Sequence, residues 1–292
     1  MNYFPDKSVE ENQRFHKILE EVNAHLEYVL LNKFKMSDLV NPEHSLGTGH
    51  VVIRFQVGSE RWIFRSPLHS RDQLRRAMMA YRLVGSMDLM PEKVYHDGKC
   101  VIEKNVEGHP MSSAVSDAAL IDLAQKLARM HAIPASCYGP LDFDLQGIHE
   151  SAADYYSKRP PIVVDRSEAD LSEPQDRLLS AAVERANAIH PDLHASRVYL
   201  GHGDLWRKNI FVRPVDVRVI DWERIGAYPP EYDLVFLEQA DLTSEQQALF
   251  MHHYGRTVNA SLLSWFNLRR TLLNGGLRLQ KKIERLQRLE LV

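Results

Sequence analysis

The chain has 292 residues, with 44% hydrophobic residues, 26% charged residues and a formal net charge of −3. This length and composition are ordinary for a globular protein with one large domain or two lobes. The slightly acidic balance argues against a dedicated nucleic-acid-binding protein, since contacts to phosphates require a basic excess.

The location of the protein is predicted from its cysteines and its N-terminus. Cys100 and Cys137 are the only cysteines, too few for a disulfide framework or a metal cluster. The N-terminal stretch MNYFPDKSVEENQ is polar and lacks the apolar core of a signal peptide. No apolar run approaches the length needed to cross a bilayer. We therefore expect a cytoplasmic protein without a membrane span; the sequence carries no signal for its oligomeric state.

The first third of the chain is predicted to be a β-rich region with two helices. An apolar residue at every third or fourth position predicts a long helix over 8–34. Alternating β-branched and aromatic residues predict an antiparallel hairpin over 45–67. A helix over about 71–84 and a strand over 99–110, ending in a hinge marked by Gly and Pro, follow.

The pattern from residue 111 onward is mostly helical. We predict helices over 117–133 and about 175–189, a short strand over 215–223, and helices over 233–292 interrupted at 274–276. Prolines break up 134–175, where irregular structure with short helices is expected. The fold class is therefore α+β, with a small β-rich N-lobe and a larger, mostly helical C-lobe. The predicted domains are an N-terminal helical extension (1–35), the N-lobe (36–105) and the C-lobe (106–292).

Two short motifs carry the residue types that phosphoryl transfer requires. GHGDLWRKNIFV (201–212) places Asp204 and Asn209 five residues apart, and VIDWE (219–223) ends a strand with Asp221. Transfer from ATP needs a carboxylate to receive the proton of the attacking hydroxyl, and oxygen ligands for magnesium. Asp204 fits the base, while Asn209 and Asp221 fit the metal ligands.

These motifs resemble the aminoglycoside phosphotransferase and choline kinase superfamily, whose hallmark is H-G-D-x-x-x-x-N followed by I-D-W/F. The resemblance continues through the trailing YDL (232–234) and, more weakly, through VIEKNVEGHPM (101–111) and LAQKLARMHAI (123–133). It covers about residues 40–240. It implies a two-lobed protein-kinase-like fold and an enzyme that uses ATP and Mg²⁺ to phosphorylate a hydroxyl of a small-molecule acceptor.

The resemblance also assigns expected roles to individual residues. Asp204 is the catalytic base, and Asn209 and Asp221 hold magnesium. Arg65 steadies the nucleotide phosphates in the place where lysine is common, with an exposed strand arginine as the alternative. Backbone groups of three consecutive residues are expected to contact adenine: Glu103, Lys104 and Asn105. Three residues are expected to form the loop over the phosphates, although a simple turn is an equal alternative: Gly47, Thr48 and Gly49.

Besides Arg65, two positions depart from the family pattern. The helix over 71–84 lacks the glutamate that orients the phosphate-binding cation: Arg75 and Arg76 stand in its region, and Asp72 is its only carboxylate. This gap favours a weakened enzyme or a nucleotide-binding pseudokinase as the alternative function. Trp206 replaces a frequent His or Lys, and the neighbouring Arg207 and Lys208 are candidates for charge stabilisation near the transferred phosphate.

The remaining polar residues are interpreted as structural. We expect His202 to be a packed histidine, and His131, His252 and His253 lack partners at metal-ligand spacing. Asp233 is expected to cap the following helix and to brace the motif loop.

The acceptor is left open by opposing charge patterns. Residues 111–194 hold 13 acidic and 7 basic side chains, which fits a cationic acceptor. Residues 262–292 are basic, either as the solvated face of a helix or as an attractor of anions. Sugar, amino alcohol, nucleoside, antibiotic and, as a less favoured alternative, a protein side chain all remain open.

Overall fold

We describe a computed structural model of the protein over residues 9–36, 40–46, 49–68, 70–142, 144–166 and 171–289. The chain divides into two compact units. The first comprises Met1–Met78 and Pro91–Glu107, and the second comprises Met79–Met90 and Gly108–Val292. The predicted division at 105 and 106 stays a prediction; residues 79–90, placed in the N-lobe by that prediction, group with the second unit.

The elements are numbered in chain order. The helices are α1 (Val9–Val29), α2 (Arg71–Val84), α3 (Asp117–Met130), α4 (Ala152–Ser157), α5 (Glu173–Asn187), α6 (Pro230–Leu234), α7 (Phe236–Gln239), α8 (Ser244–Tyr254), α9 (Ala260–Leu273) and α10 (Leu279–Arg288). The strands are β1 (Val40–Leu46), β2 (His50–Val57), β3 (Glu60–Pro67), β4 (Lys93–His96), β5 (Val101–Lys104), β6 (His109–Pro110), β7 (Tyr138–Leu141), β8 (Gly147–His149), β9 (Tyr199–Gly201), β10 (Ile210–Val212), β11 (Val217–Val219) and β12 (Gly226–Tyr228).

The first unit is built on an antiparallel sheet, which among the described residues has five strands in the order β1-β2-β3-β5-β4. Alternation in β2 and β3 buries Ile53 and Phe64, which pair directly across the strands. The apolar stripe of α1 covers this buried face with Leu19 and Leu26. Period-two strands and a helix of period 3.6 thus form one core.

The second unit is mainly helical, with two small sheets that carry the motif loops. In the described chain, one sheet has the order β11-β10-β6 and the other β8-β7-β12-β9. The GHGDLWRKN segment leaves β9 and enters β10, so it connects the two sheets. The main core includes residues of α3 and α8 together with the β10 and β11 strands. Strands buried on both sides of this loop fix the positions from which its polar side chains project.

The fold is the two-lobed, protein-kinase-like α+β fold that the sequence predicted. Most predicted elements are present, including α2 with the predicted bounds. The irregular 134–175 region instead contains the paired strands β7 and β8 beside the short helix α4. Tyr138-Gly139-Pro140 lacks the alternation that marks a strand, and for this reason the hairpin was missed.

The basic C-terminal segment is a helix packed on the second unit. In α10, Ile283 and Leu286 are fully buried, and α10 packs against α5 and α9. For the basic residues of α10, the interpretation as the solvated face of a helix is therefore favoured. Arg269 and Arg270 on α9, in the same basic segment, are instead buried or nearly so within the second unit. None of the helices in the described segments has both the length and the apolar content required to span a membrane.

Candidate active site

The HGD segment turns sharply at a glycine that has no room for a side chain. Gly203 adopts φ +78°, and a Cβ on it would lie 2.2 Å from the carbonyl oxygen of Arg224. Both the left-handed conformation and the close contact require glycine. The turn directs Asp204 away from β9 while its neighbours His202 and Leu205 stay buried.

A buried carboxylate, Asp233, holds this turn in place. Its Oδ2 accepts a hydrogen bond from the His202 N–H at 2.6 Å, and its Oδ1 accepts one from the Gly203 N–H at 2.9 Å. The Nε2 of His131 donates to Oδ2 at 3.2 Å, and the His131 Nδ1 lies 2.8 Å from the Tyr254 hydroxyl. Burial alone would raise the pKa of Asp233, but these bonds outweigh it and the pKa is lowered.

The structure refines the interpretations of Asp233 and His131 made from the sequence. Asp233 braces the loop, as expected, but it does not cap the next helix. It lies inside α6, whose N-cap is Pro229. His131 is structural, and its role is to bind Asp233.

His202 is a packed residue that keeps the loop rigid. Its Nδ1 accepts a hydrogen bond from the Asp204 N–H at 3.2 Å, so its Nε2 carries the proton and donates to the Ile220 carbonyl at 2.9 Å. The ring packs edge-on against Trp222 at 4.6 Å between centroids. His202 therefore links the loop to the strand that leads to Asp221.

Asp204 is held through one of its two oxygens. The Trp206 Nε1–H donates to Oδ1 at 2.5 Å, and Arg270 on α9 donates to the same oxygen at 3.1 Å. The Arg270 guanidinium also stacks on the Trp206 ring at 3.9 Å from its centroid. Within the described chain, no hydrogen bond is made to Oδ2. This arrangement fixes the carboxylate and leaves one oxygen for a ligand.

Asn209 and Asp221 come together at the end of the β10–β11 ladder. Ile210 pairs with Val219, and the Ile220 N–H donates to the Asn209 carbonyl at 2.9 Å. Asp221 therefore follows directly after Ile220, the residue that is hydrogen-bonded to Asn209. The Asn209 Nδ2 donates to the Asp204 carbonyl at 3.0 Å, so its Oδ1 points the other way. Asp221 adopts φ +69°, a conformation that Asp tolerates better than most residues. An amide oxygen and a carboxylate suit a hard divalent cation.

In the first unit, Arg65 has a buried acidic partner on the neighbouring strand. Arg65 on β3 donates to the Glu103 side chain on β5 at 2.5 Å, and the Glu103 side chain is only 5% exposed. Asp72, the only carboxylate of α2, lies 3.5 Å from Arg75 on the exposed face of that helix. The partner that the sequence prediction sought on the helix comes from β5.

Two of the three residues expected to contact adenine already use their backbone N–H groups in hydrogen bonds within the protein. The Lys104 N–H donates to the Glu92 carbonyl at 2.9 Å, and the Asn105 N–H donates to the Arg61 carbonyl at 2.7 Å. These two donors are therefore engaged, and any adenine contact at 103–105 falls to other backbone groups there.

The proposed phosphate loop is described only at its last residue. Gly49 accepts a hydrogen bond from the Leu68 N–H at 2.8 Å at the start of β2. Gly47 and Thr48 lie outside the described residues, so the choice between a nucleotide loop and a simple turn stays open.

A cavity of about 330 Å³ in the second unit reaches Asp204. Its walls are aromatic and basic, with residues from α4, the HGD segment, α6 and α9. The polar and aromatic members of this lining, which we call the Asp204 cavity, are Tyr155, Tyr156, Arg159, Asp204, Trp206, Arg224, Tyr232, Phe266, Arg269, Arg270 and Asn274. Arg207 and Lys208, in contrast, are exposed and are not among its lining residues. Their suggested role near the phosphate stays a prediction.

Sequence reasoning missed the side chains that fix Asp204 and Arg65. Trp206 was noticed as a departure but not as a donor to Asp204. Arg270 lies 66 residues away, with no local pattern to connect it. Glu103 was considered only for its backbone, although its place beside Arg65 follows once β3 and β5 are paired.

The chain belongs to the phosphotransferase enzyme family, whose sequence profile matches residues 43–269. No curated protein sequence matches the chain significantly.

Solved structures of antibiotic phosphotransferases share the fold at low sequence identity. The aminoglycoside phosphotransferase APH(4)-Ia is 16% identical, with a TM-score of 0.62, and the alignment covers 91% of this chain and 98% of that one. An aminoglycoside phosphotransferase solved with GDP and kanamycin is 19% identical, with a TM-score of 0.60 and coverages of 91% and 98%. Macrolide 2'-phosphotransferase MphH from Brachybacterium faecium is 16% identical, with a TM-score of 0.57 and coverages of 92% and 93%.

Proposed function

We propose that this protein is an ATP-dependent kinase that phosphorylates a hydroxyl group of a small molecule. The observation that carries the proposal is the Asp204 carboxylate, which is fixed through Oδ1, open at Oδ2 and exposed to a cavity large enough for a small ligand. Family membership and the nucleotide complexes of the structural neighbours support the use of a nucleoside triphosphate.

The chemical step assigns one role to Asp204. Its Oδ2 accepts a hydrogen bond from the acceptor hydroxyl and orients the oxygen toward the γ-phosphorus of ATP. A new bond forms between that oxygen and phosphorus, while the bond from phosphorus to the β,γ-bridging oxygen breaks. ADP leaves with the bonding electron pair, and the hydroxyl proton passes to Asp204.

Two pairs of residues are assigned to binding the nucleotide. Asn209 and Asp221 present hard oxygen donors suited to Mg²⁺, which would neutralise charge on the nucleotide phosphates. Arg65 adds a fixed positive charge, and Glu103 holds the Arg65 guanidinium in one orientation. The Arg65–Glu103 pair supports the enzyme over the pseudokinase, because the missing helix carboxylate was the reason to suspect lost activity.

Magnesium-dependent ADP release in the presence of pooled hydroxyl compounds tests the proposal. Asp204→Asn is the matched blank, because it removes the base and keeps the shape of the side chain. We expect ADP release by the wild type, a fall of about 10²–10⁴-fold in the variant, and unchanged binding of Mg-ATP by calorimetry. Equal ADP release by both proteins would refute the role of Asp204.

A protein acceptor remains a less favoured alternative. The Asp204 cavity is 330 Å³, within the range of small-molecule sites, and this size favours a compact acceptor.

A further inference from the structure

We infer that the acceptor carries an anionic group, a carboxylate or a phosphate, next to a flat or apolar portion that bears the reactive hydroxyl. This inference rests on the proposed kinase activity and names the chemical class of its acceptor. It comes from the charge and shape of the Asp204 cavity.

The lining of the cavity is strongly basic. Four arginines line it, and Asp204 is its only carboxylate among the described residues. The formal excess is three positive charges. Asp204 is already paired with Arg270 through its Oδ1. The described lining offers no second carboxylate that could receive an ammonium group. A cationic acceptor would be repelled by arginines without compensation, because ions removed from water need partners of opposite charge.

Two of the four arginines are held by contacts with other residues of the protein. Arg269 is 9% exposed, donates to the Ala186 carbonyl, and stacks on Tyr156 and Trp265 at 4.7 and 4.9 Å from the ring centroids. Arg270 is fixed by Asp204 and Trp206, yet its Nε is buried without a hydrogen-bond partner in the described chain. This donor lies in the wall beside the Asp204 carboxylate and adds to the positive character of that wall.

The other two arginines form no ion pair among the described residues. Arg159 donates to the hydroxyl of Tyr155 and stacks on its ring at 4.4 Å. Arg224 is exposed, and its guanidinium makes no hydrogen bond or ion pair with another described residue, although the negative charge of Asp204 acts on it across the cavity. Guanidinium groups bind carboxylate and phosphate oxygens through paired N–H donors. These two residues are therefore the candidate anion contacts.

The remaining walls favour a flat or apolar portion. Tyr156, Tyr232 and Phe266 form a connected aromatic surface, with ring centroids 6.2 Å apart for Tyr156 and Phe266 and 5.3 Å apart for Tyr232 and Phe266. Burial raises the pKa of Tyr232, so its hydroxyl stays protonated and adds no negative charge. The acidic balance of 111–194 predicted a cationic acceptor, but among the described residues of that segment only Arg159 brings a formal charge to the cavity.

Four probes with one aromatic scaffold and one hydroxymethyl group test the inference. They are para-hydroxymethylbenzoate, para-hydroxymethylphenyl phosphate, para-hydroxymethylbenzylamine and para-methylbenzyl alcohol. Binding to the full chain is measured by calorimetry, and turnover is measured as ADP release. We expect one or both anionic probes to bind and to be phosphorylated with kcat/KM about 10- to 100-fold above the amine. The benzoate and phosphate arms identify which anion is preferred.

Variants separate an anion contact from a structural effect. Arg224→Ala should raise KM for the anionic probe about tenfold or more with little change in kcat, and Arg224→Lys should recover part of the affinity. Arg177→Ala removes an exposed arginine of α5 outside the cavity and should leave KM unchanged.

The failures of the two proposals are distinguishable. Preference for the amine or the neutral probe, or no binding of either anionic probe at millimolar concentration, overturns the inference while Asp204-dependent ADP release keeps the kinase. Arg224-dependent binding of an anionic probe without any Asp204-dependent ADP release overturns the kinase and keeps the anion site.

Discussion

Replacing Asp233 by asparagine tests the hydrogen bonds that hold the HGD segment in place. The Asp233 carboxylate accepts hydrogen bonds from the backbone N–H groups of His202 and Gly203 through its two separate oxygens. Asn keeps one acceptor oxygen and replaces the other by an NH₂ group. One of the two backbone donors then faces another donor in a site from which water is excluded.

The size of the effect follows from these contacts. A hydrogen bond to a charged group contributes about 1.5–3 kcal/mol, and a buried donor left without a partner costs about 1–3 kcal/mol. We therefore expect Asp233→Asn to lower the free energy of unfolding by about 3–5 kcal/mol, the combined effect of one lost charged hydrogen bond and one unpaired donor. Domains are typically stable by only about 5–15 kcal/mol, so the variant should unfold at clearly lower urea concentration.

Urea unfolding followed by tryptophan fluorescence measures this difference. Asp241→Asn is the matched control, because Asp241 is exposed and has φ +53°, a conformation that Asn tolerates. The control should change stability by less than about 0.5 kcal/mol. A loss below about 1 kcal/mol for Asp233→Asn would refute the bracing role.

The same residue predicts a pH dependence. The pKa of Asp233 is lowered in the folded protein, so its contribution is fully present above its unfolded pKa of about 3.9. The contribution is lost as the pH falls from about 3.9 through the lower folded pKa. The stability difference between wild type and Asp233→Asn should therefore shrink below pH about 3.9, as measured by urea titrations at several pH values. A difference that stays constant across that range would contradict the assignment.

Three further predictions concern other parts of the site. Glu103→Gln should weaken Mg-ATP binding about tenfold by calorimetry, because Arg65 loses the charged group that orients it; unchanged affinity would remove Glu103 from the nucleotide site. Trp206→Phe keeps a ring but removes the hydrogen bond to the Asp204 carboxylate, so kcat for ADP release should fall about tenfold, and an unaltered kcat would show that the bond is dispensable. Gly203→Ala should lower the melting temperature, because its Cβ has no room, whereas Gly85→Ala, with nothing within 4 Å, should not; equal melting temperatures would contradict the packing described.

The sequence predicted the elements whose pattern is local. The helix α2 and the strands β2 and β3 were found because apolar residues recur with periods of 3.6 and 2. The HGD and IDW motifs identified the candidate site residues because their spacing lies within one short segment of chain. The strands β7 and β8 were missed because they are short and contain glycine and proline.

The partners of the site residues could not be predicted in the same way. The pairs Arg270–Asp204 and Arg65–Glu103 join residues 66 and 38 positions apart, and only the packing of helices and the register of strands brings them together. The composition of 111–194 was misleading for a related reason. Charge counted along the chain does not tell which side chains line a cavity. The acidic residues of that segment that the structure describes do not line this one.

The most direct test of the central claim is the identification of a phosphorylated product. Wild-type protein and Asp204→Asn are incubated with Mg-ATP and the same pool of hydroxyl compounds, and the products are compared by mass spectrometry. We predict an acceptor that gains one phosphate group with the wild type and not with Asp204→Asn, while both proteins bind Mg-ATP equally. Phosphorylation of the same acceptor at the same rate by Asp204→Asn would contradict the account.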